Sequence, residues 1–221
     1  GNSFLHNERG FDYIDVDPFG SPNIVLNEAI AHAAKGSIIG ITATDTAALA
    51  GTYPHSCMQK YHSRPAQIPQ RHEMGLRILA RKAILTGMHY TKRLNPILSY
   101  KEKHYYRIFF KVEKGKQKAA SMFHHINSYF HHCHTCGYQM TTTAPCDICP
   151  QCSSDISRSG PLYDGSMQDK QILDKLLEEA PDRKMINLLE KVAREAKHDI
   201  IGFYDTHNLA QKLKTTLPRI T

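Results

Sequence analysis

The first strongly patterned stretch is Phe11-Asp-Tyr-Ile-Asp-Val-Asp17, a short apolar run that ends in an acid and leads into Pro18-Phe-Gly-Ser-Pro22. It predicts a buried parallel strand ending in a functional loop. Residues 23–34 follow with a helical pattern, and Gly36 suits the stop at the helix C-terminus. Ser37-Ile-Ile-Gly-Ile-Thr-Ala43 predicts the next strand. A strand–helix–strand unit of about thirty residues is what a right-handed crossover in an α/β sheet requires. Residues 45–69, rich in Thr, Tyr, Pro and His, read as mostly loop with a short helix near 56–61. The spacing predicts a long helix over 70–88, with Glu73 and Arg77 placed to pair across one turn on its surface. Pro96 interrupts the segment after it, and the aromatic run at 104–112 is strongly β-prone. Residues 116–129 read as helix, as do 168–179, 183–196 and 206–213, with Pro181 separating the middle two. A boundary near residue 115 then divides an α/β domain, 1–114, from an α-rich second domain, 115–221.

Charge and composition narrow the function classes. The 221 residues hold 28 Lys+Arg against 21 Asp+Glu, a formal charge of +7, and the pI of about 9.1 makes a polyanion a sensible partner. At 41% hydrophobic residues the chain can build a real core. No apolar run approaches the roughly 18 residues of a membrane span, and no basic-then-apolar leader opens the sequence. The expectation is a soluble protein of the cytoplasm with no membrane partner.

Five of the six cysteines fall between 133 and 152, and Cys57 stands apart as an expected buried apolar residue. Five clustered cysteines fit a disulfide framework badly. Cys133-His-Thr-Cys136 and Cys149-Pro-Gln-Cys152 are two CxxC pairs separated by 12 residues, the spacing of a tetrahedral four-sulfur Zn²⁺ site with no open position for catalysis. Cys146-Asp-Ile-Cys149 is also a CxxC, which leaves a second ligand set open. The longer loop and Pro150 favour Cys149 with Cys152. His131, His132 and His134 are expected to be exposed or to face RNA.

Asp17-Pro18-Phe19-Gly20 has the residue types of the [D/N/S]-P-P-[F/Y/W] loop with which methyltransferases handle exocyclic base amines. Such an amine is a weak nucleophile because its lone pair is delocalised into the ring. An acceptor side chain and a proline-fixed carbonyl can hold both N–H groups, and an adjacent ring can stack on the base. Asp17 would be the acceptor and proton sink, Pro18 would set the carbonyl, and Phe19 would stack. Ser21 is a candidate donor to the base or a helix-capping residue. Asp45 is a candidate contact to substrate or donor, or a local turn residue.

Several stretches together resemble the tRNA (guanine-26-N2) dimethyltransferase family: 11–22, Thr42-Ala-Thr-Asp-Thr-Ala47, Gly51-Thr-Tyr-Pro54, His72-Glu-Met-Gly-Leu-Arg-Ile-Leu79, Pro96-Ile-Leu-Ser99, His104-Tyr-Tyr-Arg107, the two cysteine pairs, Gly160-Pro-Leu-Tyr163 and Gly202-Phe-Tyr-Asp-Thr-His207. The resemblance implies part of a class I, Rossmann-like methyltransferase sheet followed by the zinc-containing C-terminal domain. It implies S-adenosyl-L-methionine as donor, one or two methyl transfers to guanine N2, tRNA as partner, Asp17 as catalytic acid, and Zn²⁺ on Cys133, Cys136, Cys149 and Cys152. The basic, aromatic-interleaved segments 90–93 and 105–107 would face the tRNA. The family's Gly-containing loop and ribose-binding acid are absent, and no G-x-G pattern occurs in 1–221. The chain is therefore expected to be a fragment or one part of a split enzyme, lacking the N-terminal donor-binding half and also stopping early. The competing reading is a non-catalytic RNA-binding module built on a zinc ribbon.

Overall fold

The computed structural model describes residues 10–198, 200–212 and 214–217. A mixed four-stranded sheet in the order β1-β2-β4-β3 forms its centre. Strand β1 (Phe11–Val16) runs parallel to β2 (Ala33–Ala43), and helix α1 (Asn23–His32) joins them. Strands β3 (Lys92–Glu102) and β4 (Tyr105–Lys114) form an antiparallel hairpin that pairs with β2 through β4. Alternation assigns side chains to the two faces: Ile14, Val16, Ile39, Ile41, Ile108 and Phe110 pack in the main core, whereas Asp15, Thr42 and Arg107 belong to the other face. Each such aliphatic or aromatic side chain contributes about 1.5–3 kcal/mol of burial.

The strand–helix–strand unit is present, but α1 ends differently from the expectation. Strand β2 begins at Ala33 without a connecting loop, and Gly36 lies inside it at φ +87°. The β1–β2 register slips there, between Phe11 and Tyr13. Gly36 thus serves a bulge and not a helix stop. The helix is finished from elsewhere: Lys92 Nζ, at the start of β3, donates to the carbonyls of Ile30, Ala31 and Ala33 at 2.6, 2.7 and 2.9 Å.

Residues 45–69 hold two short helices, α2 (Thr46–Leu49) and α3 (Pro54–Tyr61), the second starting on a proline whose missing N–H costs nothing there. The long helix α4 (Arg71–His89) lies on the sheet and is buried along most of its length. Gly75 permits that contact, because a Cβ there would stand 2.8 Å from the Tyr106 ring. Pro96 does not interrupt β3. The strand is at the sheet edge and absorbs the proline in an irregularity between Pro96 and Leu98, where a missing N–H is harmless.

Beyond β4 the helical reading of 116–129 fails halfway. Helix α5 (Lys116–Ser121) and a 3₁₀ turn (Met122–His125) give way to strand β5 (Ser128–His132), the centre of a second sheet, β6 (Gln139–Thr142)–β5–β7 (Ser157–Leu162). Phe130 on β5 and Leu162 on β7 join the same core as the first sheet. This part is therefore mixed α and β in place of the expected α-rich domain. Helices α6 (Lys170–Glu178) and α7 (Arg183–Ala196) are capped by Asp169 and Asp182, which accept from Ile172 N at 3.1 Å and Met185 N at 2.8 Å. They cover Leu98, Tyr100 and Phe109 on the second face of the main sheet. Helix α8 (Thr206–Lys212) ends where described; Leu213, the last residue of the expected helix, lies outside the described residues. Among the described residues no helix is long and apolar enough to cross a membrane.

Candidate functional site

Two loops leave the carboxyl ends of the parallel strands β1 and β2, the place where open α/β sheets bind ligands. The first is 17–22. Asp17 is exposed and its carboxylate has no hydrogen bond or ion pair among the described residues, Pro18 is partly buried, and the Phe19 ring is fully exposed. The second loop begins at Thr44. Gly20 N donates to Thr44 Oγ1 at 2.6 Å, and Thr44 N donates back to the Gly20 carbonyl at 3.0 Å. Gly20 can turn both groups toward one residue because it sits at φ +82°, a conformation that costs glycine little. The outcome is a closed turn holding an unpaired carboxylate and an uncovered ring at the sheet edge.

Ser21 is partly buried, with Oγ 3.5 Å from Asn23 N, at the limit of a hydrogen bond. Asp45 is committed locally: its carboxylate accepts from Tyr61 Oη at 2.7 Å and Lys60 Nζ at 3.2 Å, and its carbonyl accepts from Ala48 N and Leu49 N. Burial, and then the charge of Asp45, raise the Tyr61 pKa, so its hydroxyl stays protonated and donates. Burial likewise pushes the Cys57 thiol up to about 12, which suits its role as an apolar core residue. Asn23 Nδ2 donates to the Lys60 carbonyl at 2.6 Å, tying the start of α1 to the end of α3. The sequence reading missed Thr44, Lys60 and Tyr61 as supports of these loops. Only Thr44, inside the quoted stretch 42–47, carried a signal that could have found it.

The neighbouring basic groups are less available than the sequence implies. Tyr106 and Lys92 are buried, and Tyr105 Oη donates to Glu102 at 3.0 Å. Arg107 pairs with Asp15 at 2.7 Å, donates to Thr42 Oγ1 and lies 4.8 Å from the centre of the Phe109 ring. This bridge passes over Gly40, where a Cβ would stand 2.9 Å from Arg107 Nη2. The segments 90–93 and 105–107 thus spend much of their charge and aromatic surface inside the fold. Glu73 and Arg77 do pair, at 2.9 Å, but not as a surface pair. Arg77 is buried and also donates to the carbonyls of Tyr163 and Gly165, while Glu73 accepts from Gly202 N.

The second site is the cysteine cluster. The sulfurs of Cys133, Cys136, Cys149 and Cys152 all lie within 4.8 Å of one another, with Cys133–Cys152 at 3.5 Å and Cys136–Cys149 at 3.6 Å. Four sulfurs about 2.3 Å from one tetrahedral ion would be about 3.8 Å apart, so the cluster fits a single four-coordinate metal. The two pairs have the same local geometry. Gly137 N donates to the Cys133 carbonyl and Cys133 N to that of Tyr138; Ser153 N donates to the Cys149 carbonyl and Cys149 N to that of Ser154. Gly137 and Ser153, each four residues after its first cysteine, both have positive φ, +82° and +59°. Cys146 lies outside the foursome and directs its thiol to the Ile148 carbonyl at 3.0 Å. Of the three histidines, only His134 is exposed. His131 and His132 are buried, and His131 Nε2 accepts from Cys146 N at 3.0 Å, bracing the loop between the pairs.

A family model described as N2,N2-dimethylguanosine tRNA methyltransferase matches residues 1–221. The tRNA (guanine(26)-N(2))-dimethyltransferase of Methanobrevibacter smithii is 37% identical, over 98% of this chain and 58% of that protein. The tRNA (guanine(26)-N(2)/guanine(27)-N(2))-dimethyltransferase of Aquifex aeolicus is 35% identical, over 96% of this chain and 57% of its own length. Trm1 from Pyrococcus horikoshii, solved in complex with S-adenosyl-L-methionine, superposes with a TM-score of 0.82 at 30% identity, covering 96% of this chain and 57% of that one. The chain thus spans somewhat over half the length of the relatives it matches.

Proposed function

The chain belongs to the N2,N2-dimethylguanosine tRNA methyltransferase family, and on that premise we propose that it supplies the base-receiving part of an enzyme that methylates the exocyclic N2 of guanine 26 in tRNA, once and then again. The observation that carries this reading is the closed turn at 17–20, latched to Thr44, with Asp17 unpaired and Phe19 uncovered. A guanine extruded from its stack would lie against the Phe19 ring. The Asp17 carboxylate and the Pro18 carbonyl would accept from its two amino N–H groups, drawing the nitrogen lone pair out of conjugation. Asp17 would then hold the proton that the nitrogen sheds. Asp45 is held by Lys60 and Tyr61 next to Thr44, and Ser21 would donate to the base edge.

S-adenosyl-L-methionine supplies an electrophilic methyl group in this chemistry. The fit is one-sided: the turn offers an acceptor and a ring for a base, but the sequence has no G-x-G turn to cradle a nucleoside. No residue of 1–221 is assigned to the donor, and its adenosine part is left to residues outside this stretch. Zn²⁺ on Cys133, Cys136, Cys149 and Cys152 would be structural, since four thiolates fill its coordination. The two-part division near residue 115, with the catalytic loop in 1–114 and the metal in 115–221, belongs to the same reading, as does work on tRNA in the cytoplasm.

The test is Asp17→Ala in an active enzyme that contains these residues. Methylation should fall more than about 100-fold, because the substitution removes the acceptor that activates the amine, while tRNA affinity stays within about twofold. Mass spectrometry of tRNA nucleosides would read N2-methylguanosine and N2,N2-dimethylguanosine. Undiminished methylation would overturn the proposal. A cellular defect from Cys133→Ser with none from Asp17→Ala would favour the non-catalytic RNA-binding module instead.

A further inference from the structure

We propose that the turn between β3 and β4, with the start of α4, is a docking surface for the phosphate backbone of the substrate RNA, beside the loop that takes the base. The inference rests on the methyltransferase reading and adds to it the surface that holds the rest of the nucleic acid. Sheet register provides the geometry. Ala43, the last residue of β2, faces Tyr106, and Tyr106 faces Lys101 on its other side. The β3–β4 turn therefore shares an edge of the sheet with the 17–20 loop and Thr44. Three strand spacings of about 4.8 Å separate β1 from β3, so the turn begins about 14 Å away, within reach of nucleotides flanking an extruded one.

Arg71, Lys101 and Lys103 are exposed on this edge, Lys103 at the tip of the turn with φ +40°. Among the described residues none of the three side chains has an ion pair or hydrogen bond, in contrast to Lys60, Arg77, Arg81, Lys92 and Arg107, which are all bonded within the fold. The nearby carboxylate of Glu102 is engaged by Tyr105 at 3.0 Å and by Lys184 at 3.7 Å. His72 joins the two elements through a 2.8 Å hydrogen bond with Tyr106 Oη. Burial, followed by the charges of Lys101 and Arg71, lowers the His72 pKa, which marks both cations as its neighbours. Unneutralised cations held at one edge by a rigid hairpin and a packed helix suit a chain of phosphates, with affinity gained by counterion release.

The experiment measures binding of a labelled tRNA transcript to the 221-residue chain by fluorescence anisotropy across a salt series. The triple variant Arg71→Glu, Lys101→Glu, Lys103→Glu should weaken binding at least about tenfold and reduce the salt slope by about 2–3. Single Lys101→Gln and Lys103→Gln variants, which reverse no charge, should each lower the slope by about one. Reversing the exposed Lys35, Lys114 and Lys116, at the opposite edge where β2 starts and β4 ends, should change affinity less than about threefold. Equal losses from both sets, an unchanged slope in the first, or no tRNA binding by the unaltered chain would each overturn the proposal. Asp17→Ala answers separately: methylation indifferent to it would sink the catalytic reading, and with it the claim that the bound RNA is a substrate, whereas the salt series tests the RNA-binding surface itself.

Discussion

Thr44 accepts from and donates to Gly20, so a single side chain and its own amide close the loop that carries Asp17 and Phe19. Thr44→Val keeps the shape and removes the acceptor. A hydrogen bond of this kind is worth about 0.5–1.5 kcal/mol net, so the Gly20 amide should exchange with deuterium roughly two- to twelvefold faster, and Thr44→Ser should restore it. Unchanged exchange would show that the turn closes without the hydroxyl. Residue chemistry was legible in the sequence only where it is local. The Asp-Pro-Phe-Gly turn and the two CxxC pairs each sit within four residues, so spacing alone determines what they present. Thr44 and Gly20 are 24 positions apart, and Asp45 and Tyr61 are 16 apart. No periodicity encodes such a pairing, which exists because β1 and β2 are neighbours. Arg77 has the clearest reversal. The i,i+4 spacing correctly foretold its bond to Glu73, but its burial follows from the Tyr163 and Gly165 carbonyls 86 and 88 residues away.

At the scale of elements, the end of α1 is decided by β3. A helix leaves its last carbonyls without intrahelical donors, and here three carbonyls at the helix end and the start of β2 receive them from the Lys92 ammonium. Lys92→Met keeps the aliphatic stem and removes the donors; the Ile30 carbonyl keeps the Ala33 N–H, while those of Ala31 and Ala33 lose the ammonium. Unfolding by urea should show a loss of about 1–3 kcal/mol, and an unaltered midpoint would show that water serves those carbonyls equally well. The same dependence explains why Gly36 misled. A glycine after a helical run ordinarily marks a C-terminal stop, but here the stop comes from a residue 62 positions from Ile30. Strand β5 was misread for a related reason. The stretch 122–132 has mixed periodicity, and its strand state is imposed by pairing on both sides with β6 and β7. Pro96 is tolerated within β3 because that strand is the last of the described sheet, with the Gln168 side chain and the Asp169 amide, in place of a further strand, bonding its outer edge at Ile97 and Ser99.

For the whole molecule, the cysteine cluster is joined to the core and is more than a local ornament. Cys133 directly follows β5, Phe130 of that strand packs in the main core, and Gly160 of β7 exchanges hydrogen bonds with Arg64 at 2.8 Å in both directions. Gly202 at φ +86° brings the chain back against Phe130, and Gln70 and Gln139 both donate to the Phe203 carbonyl. Loss of the metal should therefore lower the melting temperature of the whole chain. The purified protein should contain about one zinc per chain, Cys133→Ser should contain none, and chelation should lower the melting temperature by at least about 5 °C. A metal-free chain that melts unchanged would remove the structural role. The sequence by itself determined the strand–helix–strand unit, the long helix α4, both cysteine pairs and the residue types of the 17–20 turn, because each depends on neighbours a few positions apart. Tertiary structure alone decided which cations stay free, where α1 stops and what latches the Asp17 loop. Those outcomes depend on groups brought together by sheet order and burial, and the contacts that fix them are distant along the chain.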